Sequence, residues 1–250
     1  MTEPAAPLLT ELVDGVLSIK LNRPERKNAL TRELITMLRE ALDNAGDDVR
    51  AVVISGNGAT FSSGVDLNDP AILDGPPFAE VLHGLARAVR ALDKPVIAAV
   101  QGYAYGAGLS LALASDIRIV APTAQLCEAY IRIGRYSGGG DTVMLPRTVG
   151  TGRALRLLWS GDSISGEHAL AIGLADELAD DPPAAALELA HKIAGKNPSA
   201  IALTKRAVYE TSSLSWDDAL DRSIELALLQ HGTVEGTTTQ GREAQVREER

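Results

Sequence analysis

Residues 95–120 read Pro95-Val-Ile-Ala-Ala-Val-Gln-Gly-Tyr-Ala-Tyr-Gly-Ala-Gly-Leu-Ser-Leu-Ala-Leu-Ala-Ser-Asp-Ile-Arg-Ile-Val120. An apolar run of strand length passes through a glycine-rich turn into an apolar run of helix length. Such a junction leaves helix-opening amides without an intrahelical acceptor. Gly102, Gly106 and Gly108 are spaced GxxxGxG rather than the GxGxxG of a dinucleotide site, and the chain has no GxxxxGK[ST] phosphate loop. Taken alone, the turn suits an anion, a dinucleotide or a polarised carbonyl.

Outward from this stretch the pattern is strand, strand, helix. Leu8 to Leu12, an Asp14-Gly15 turn and the alternating Leu17, Ile19 and Leu21 predict a β-hairpin. Thr31 is placed to cap a helix whose Leu34, Leu38, Ala41 and Leu42 share one face. Residues 51–55 read as a buried strand. After a loop over residues 69–77, Phe78, Val81, Leu82, Leu85, Val89 and Leu92 trace a second amphipathic helix ending before Lys94-Pro95. From Pro182 the texture changes to three helical patterns, 184–194, 199–210 and 216–230, with Ser215 and Asp218 at capping-box spacing. The tail after Gly236 is polar and is expected to be partly mobile.

The chain has 250 residues, 45% of them apolar, enough for one large core or two small ones. A net charge of -9 argues against a nucleic-acid partner, which needs a basic face. The single cysteine, Cys127, excludes an internal disulfide framework and fits a reducing compartment. No zinc-type Cys/His cluster is present, and His83, His168, His191 and His231 have no partner at metal or triad spacing. No secretory leader and no membrane-spanning run is read, so a cytoplasmic location without membrane attachment is expected.

Four further segments keep company with residues 95–120: Leu17-Ser-Ile-Lys-Leu-Asn-Arg-Pro-Glu-Arg-Lys-Asn-Ala-Leu30, Val52-Val-Ile-Ser-Gly-Asn-Gly-Ala-Thr-Phe-Ser-Ser-Gly-Val-Asp-Leu67, Gly134 to Asp141, and Trp159-Ser-Gly-Asp-Ser-Ile-Ser-Gly-Glu-His-Ala-Leu-Ala-Ile-Gly-Leu174. In this order and spacing the chain closely resembles the crotonase superfamily, the enoyl-CoA hydratase/isomerase group, from about residue 8 to the end. The resemblance implies an α/β fold, a crotonase-type spiral of ββα units with a helical C-terminal trimerisation region. Residues 1–195 would form the spiral core with the acyl-CoA site, and residues 196–250 the oligomerisation region of a homotrimer or dimer of trimers. It also implies an acyl-CoA substrate, with coenzyme A as part of that substrate and no tightly bound cofactor.

Thioester chemistry needs a holder for the negative charge that develops on the carbonyl oxygen, and two backbone amides aimed at one point supply it. Mapped by motif position, the family's oxyanion donors are the amides of Val65 and Ala107. Coenzyme A would run along Arg26 and Lys27 and across Ser62, Ser63, Asp66 and Leu67. A basic side chain suits a phosphate, though a solvated surface pair and plain tight turns explain the same residues. Asp116 matches an acidic position that is structural in the family.

Hydratases of the family carry two glutamates, one to take a proton from water and one to give a proton to the α-carbon. This chain has Ser110 and Tyr130 at those positions. Neither titrates near neutrality, so a two-glutamate hydration is not supported. Nearby substitutes are Glu128, expected to share a face with Tyr130 on an extended segment, and Asp141, which also reads as a helix N-cap. Tyr130 would bond to substrate or pack, Tyr136 would wall the pocket, and Ser110 would bond back to a helical carbonyl. The favoured reading is acyl-CoA isomerisation, hydrolysis or C–C cleavage through an enolate or oxyanion. The alternative is a non-catalytic acyl-CoA binder on the same scaffold.

Overall fold

Asp14 and Gly15 reverse the chain because both adopt positive φ, +49° and +79°, the primed-turn geometry that matches strand twist. They join β1 (Leu8–Val13) to β2 (Val16–Leu21), paired antiparallel from Leu8 opposite Leu21 to Val13 opposite Val16. The computed structural model describes residues 6–72 and 77–234. Its chain divides into two units, one ending at Gly195 and one beginning at Lys196.

In the first unit, α1 (Arg32–Asp43) starts where expected: the Thr31 side chain accepts from the Leu34 amide at 3.1 Å, and Leu34, Ile35, Leu38 and Leu42 are buried. β3 (Ala51–Gly56) runs parallel to β2 and is buried along its whole length. After α2 (Phe78–Ala91) comes β4 (Val96–Val100), parallel to β3, and then β5 (Tyr103–Tyr105) and α3 (Ala107–Ala114). β6 (Ile117–Val120) returns parallel to β4 and is followed by β7 (Gln125–Cys127). α4 (Asp141–Val149), α5 (Thr151–Ser160), β8 (Ser163–Ser165), α6 (Gly166–Ala171), β9 (Glu177–Leu178) and α7 (Pro182–Ala194) complete the unit.

Two sheets result, one ordered β1-β2-β3-β4-β6-β9 and a smaller one ordered β5-β7-β8. The chain steps from the large sheet to the small one between β4 and β5, and again between β6 and β7, so each pass contributes one strand to each sheet. At the first step Gly102 takes φ +61° and lies so close to the Ala59 carbonyl that a side chain there would collide with it. Asp116 accepts the Val96 amide at 2.7 Å and so ties the α3–β6 junction to the start of β4, a structural role.

The large sheet is covered on both faces, which is why β3 and β4 read as continuous apolar runs rather than alternating ones. Val52, Ile54, Val96, Ala98 and Val100 join one core with α1, α2 and α3. Their neighbours Val53, Ile97 and Ala99 face the other way onto Ala186 and Ala190 of α7. α3 is apolar all round and all eight of its residues are buried, as a central helix requires.

The second unit contains α8 (Pro198–Thr211), capped by Asn197, and α9 (Trp216–Val234), and the two helices pack together. Arg222 ties them, meeting Glu210 at 2.7 Å and Glu225 at 2.6 Å. Ser215 accepts the Asp218 amide at 3.3 Å and donates to its carboxylate at 2.6 Å, the capping-box pattern. Leu220, Ile224 and Leu228 are exposed on α9. The tail after Gly236 and the side chain of His231 lie outside the described residues. Among those residues no helix is long and apolar enough to cross a membrane.

Candidate active site

Two loops meet beside α3. The first, residues 62–67, is held by Ser62 and a buried asparagine. Ser62 donates from Oγ to the Asn28 carbonyl at 2.9 Å and accepts the Gly64 amide at 3.2 Å. Asn28, fully buried at φ +51°, donates to the carbonyls of Thr60 and Asn57 and accepts the Arg23 amide. Leu30 then pairs with the loop through the Gly64 carbonyl and the Asp66 amide. Pairing alternates along an extended segment, so the Val65 amide between them points the opposite way.

The second loop is the glycine-rich turn itself. Gly106, at φ +47° and ψ -118°, is the N-cap of α3, and Ala107 is its first residue. The amides of Val65 and Ala107 have no hydrogen-bond acceptor among the described residues. The loops touch: a Cβ built on Gly64, φ +96°, would lie 2.6 Å from the Tyr105 carbonyl oxygen and 3.6 Å from the Ala107 nitrogen.

Beside them opens a cavity of about 390 Å³ lined by Val65, Leu67, Phe78, Leu82, Tyr130 and Ile133, with Asn68, Asp69, Arg135 and Tyr136 among its other neighbours. Tyr136 is a wall residue, as expected. The loop expected to shape this pocket is described at residues 69–72 and 77–78; residues 73–76 lie outside the description. Ala107 is buried and does not line the cavity, but the ring of Tyr130 would lie 3.6–3.9 Å from a Cβ on Gly106, next to the Ala107 amide.

Two expectations about the acids are corrected. Glu128 does not share an extended face with Tyr130, because it is the N-cap of a 3₁₀ helix, Ala129–Ile133, that carries Tyr130. Asp141 is not an N-cap either. Gly140, at φ +91°, takes that position, and Asp141 is the first residue of α4 with its side chain turned inward and fully buried. Both carboxyls converge on Ser137, whose Oγ lies 2.6 Å from Asp141 Oδ2 and 3.3 Å from Glu128 Oε2. The remaining oxygens, Glu128 Oε1 and Asp141 Oδ1, are buried without a partner among the described residues. Burial, then the Asp141 charge, pushes Glu128 well above the usual carboxylate range against a weaker pull from Ser137. Burial likewise raises Asp141, opposed by the hydroxyls of Ser137 and Ser110. Sequence reading had no signal for Ser137 as the meeting point, since only the fold brings residues 128, 137 and 141 together.

Ser110 bonds back to the Gly106 carbonyl at 3.1 Å, as expected of a serine inside an apolar helix. It also meets Tyr130 Oη at 3.2 Å, so Tyr130 is hydrogen-bonded rather than merely packed. Burial, with the Asp141 charge added, raises Tyr130, so it stands as a neutral phenol. A Cβ on Gly139 would collide with Ser110 Oγ and lie 2.9 Å from Asp141 Oδ2, so the glycine keeps open the space that both side chains border.

Arg26 and Lys27 are exposed beside the first loop, where the Ser63 amide donates to the Lys27 carbonyl at 2.9 Å, and Lys27 Nζ lies 5.3 Å from the centroid of the Tyr103 ring. Ser63 is half-buried and Leu67 exposed. The side chains of Ser62 and Asp66 are engaged within the protein, Asp66 by Arg23 at 2.9 Å. Cys127 is buried in β7 and its thiol is raised by burial, which removes thiolate reactivity. Among the described residues no cluster of metal-ligating side chains occurs.

The family model for enoyl-CoA hydratase/isomerase matches residues 11–246. The Mycobacterium tuberculosis protein named probable enoyl-CoA hydratase EchA14 is 40% identical over 216 residues, covering 83% of each chain. The 1,2-epoxyphenylacetyl-CoA isomerase of Escherichia coli K12 is 35% identical over 225 residues, 86% of each. A Thermobifida fusca YX protein solved in complex with CoA superposes with a TM-score of 0.84 at 30% identity, covering 93% of this chain and 96% of that one.

Proposed function

The chain belongs to the enoyl-CoA hydratase/isomerase family, with the crotonase fold, and on that premise we propose that it transforms an acyl-CoA thioester whose carbonyl oxygen sits between the amides of Val65 and Ala107. The observation that carries this reading is the pair of unpartnered amides on two touching loops beside an apolar cavity. Amides without a protein acceptor at the edge of an apolar cavity are free to meet a ligand oxygen. Each such donor is worth about 10²–10³ in rate when it meets a developing oxyanion. Arg26 and Lys27 are the side chains that would meet coenzyme A phosphates, with Ser63 and Leu67 beside them and Ser62 and Asp66 shaping the loop. A similar protein solved in complex with CoA supports coenzyme A as part of the ligand.

Simple hydration is disfavoured because Ser110 and Tyr130 stand where two glutamates would act. The reaction classes that remain are isomerisation, hydrolysis and C–C cleavage, all through an enolate or tetrahedral oxyanion, in a cytoplasmic setting. One observation favours a non-catalytic acyl-CoA binder instead: the cavity-lining carboxylate, Asp69, is engaged by the amides of Arg32 and Ala71. A panel of acyl-CoA thioesters scored for turnover by mass spectrometry separates the two. Turnover of any member supports the enzyme, and tight complexes recovered unchanged across the panel support the binder.

A further inference from the structure

Glu128, Asp141 and Ser137 pose a valence problem. One hydroxyl proton cannot serve two carboxylates, yet Ser137 Oγ is within hydrogen-bond distance of both. Were both carboxylates charged, one of the two contacts would be a repulsive oxygen pair in a buried setting. A single extra proton resolves it: one carboxyl donates to Ser137 and Ser137 donates to the other. The shorter contact, 2.6 Å to Asp141 against 3.3 Å to Glu128, fits Asp141 as the acceptor of the Ser137 hydroxyl and Glu128 as the acid.

Neither carboxyl lines the cavity, and neither does Ser110 or Ser137. Ser110 Oγ and Asp141 Oδ2 both border the space that a Cβ on Gly139 would fill, and Ser110 Oγ in turn lies 3.2 Å from Tyr130 Oη. Tyr130 alone of this group lines the cavity. We infer that Glu128 and Asp141 share one proton through Ser137, and that Asp141 exchanges protons with the bound acyl group through Ser110 and Tyr130. Tyr130 is the catalytic residue, Ser110 and Asp141 the relay behind it, and Glu128 and Ser137 the positioning residues.

The inference rests on the acyl-CoA reading above and narrows its reaction class. A C–H bond α to the thioester breaks, and its electron pair enters the enolate held by the amides of Val65 and Ala107. The proton goes to Tyr130 Oη as Tyr130 passes its own to Ser110 Oγ, whose hydroxyl turns from the Gly106 carbonyl to hand its proton to the Asp141 carboxylate across the space Gly139 leaves open. Both carboxyls are then neutral. The reverse sequence returns a proton to the α-carbon, or to the γ-carbon of an unsaturated chain, so protons balance and no water is consumed.

The test has two arms. Infrared difference spectroscopy of the ligand-free protein at neutral pH, wild type against Glu128→Gln, is expected to show one protonated carboxyl per chain that the variant lacks. Identical spectra in the acid region overturn the shared proton. In the second arm butanoyl-CoA is incubated in D2O and α-deuterium is counted by mass spectrometry. Wild type is expected to exchange, and Tyr130→Phe, Ser110→Ala and Gly139→Ala each to slow exchange 10²–10⁴-fold, the usual contribution of one acid or base. Melting curves check that each variant folds, and Tyr130→Phe removes a single oxygen. Exchange that survives Tyr130→Phe but is lost in Gly64→Ala overturns the relay alone. Absence of exchange by wild type that binds butanoyl-CoA overturns the relay and the enolate chemistry together.

Discussion

Gly64→Ala tests whether the two loops act as one device. A methyl at this position would sit 2.6 Å from the Tyr105 carbonyl oxygen, so the loops must part by roughly 0.8 Å to reach ordinary contact. Alanine at φ +96° adds a conformational penalty of about 1–2 kcal/mol, and relief of the overlap about 1–3 kcal/mol more. The expected loss of stability is therefore about 2–5 kcal/mol. Because Tyr105 lies two residues before Ala107, the same displacement carries one amide away from the other. Turnover should fall about 10²–10³-fold, the value of one oxyanion donor. Gly173→Ala is the control: φ is +77°, the nearest atom lies at 3.9 Å, and only the conformational penalty applies. Chemical denaturation gives the stability differences, and deuterium exchange into butanoyl-CoA gives the rates. Exchange by Gly64→Ala within twofold of wild type, with the destabilisation present, would refute the coupling of the two amides.

Glu128 is raised in the folded state, so its protonated form stabilises the fold below the unfolded pKa, and that contribution is lost as pH rises through the folded value. Glu128→Gln should accordingly gain melting temperature relative to wild type as pH is raised from about 4 toward neutrality; a difference that shrinks over that interval contradicts the buried-acid reading. Asp66 behaves oppositely: burial works against its charge, but the Arg23 and Asn68 hydrogen bonds and the charges of Arg23 and Arg26 outweigh it and lower its pKa. Asp66→Asn should cost about 1.5–3 kcal/mol near neutrality, a cost that fades as pH falls below about 4, and denaturant titrations at both pH values decide it. Replacing Arg26 and Lys27 together with alanine should weaken coenzyme A binding by calorimetry and flatten its salt dependence, whereas an unchanged salt slope places the phosphates elsewhere. Light scattering should report a trimer or hexamer, with Leu220, Ile224 and Leu228 of α9 as the covered face, and a stable monomer at micromolar concentration excludes that assembly.

The elements that sequence periodicity revealed were those whose burial is one-sided or complete. Leu34, Leu38 and Leu42 mark the inner face of α1, and the unbroken apolar run of β3 reports a sheet covered twice. The short strands β5, β7 and β8 left almost no pattern, because three residues cannot show a period. At the site, the glycines were legible since Gly64 and Gly106 hold conformations that few other residues adopt. The acids were not. Asp141 looked like a cap because a polar residue after three glycines fits one, and its inward turn depends on the Ser137 and Gly139 neighbours that only the folded chain supplies. Asn28 went unread for the same reason, its four partners being scattered between residues 23 and 62.

The unpartnered amides of Val65 and Ala107 belong to the main chain, and that gives the site an uneven tolerance to mutation. No substitution at either residue except proline deletes its N–H group. Damage must come instead through the glycines that fix the loops. Drift among Ser110, Tyr130, Glu128 and Asp141 leaves both amides in place and changes only which proton moves. A descendant of this chain can thus exchange one chemistry for another by altering side chains on α3, the 3₁₀ turn and the start of α4, while the electrophilic centre survives each intermediate step.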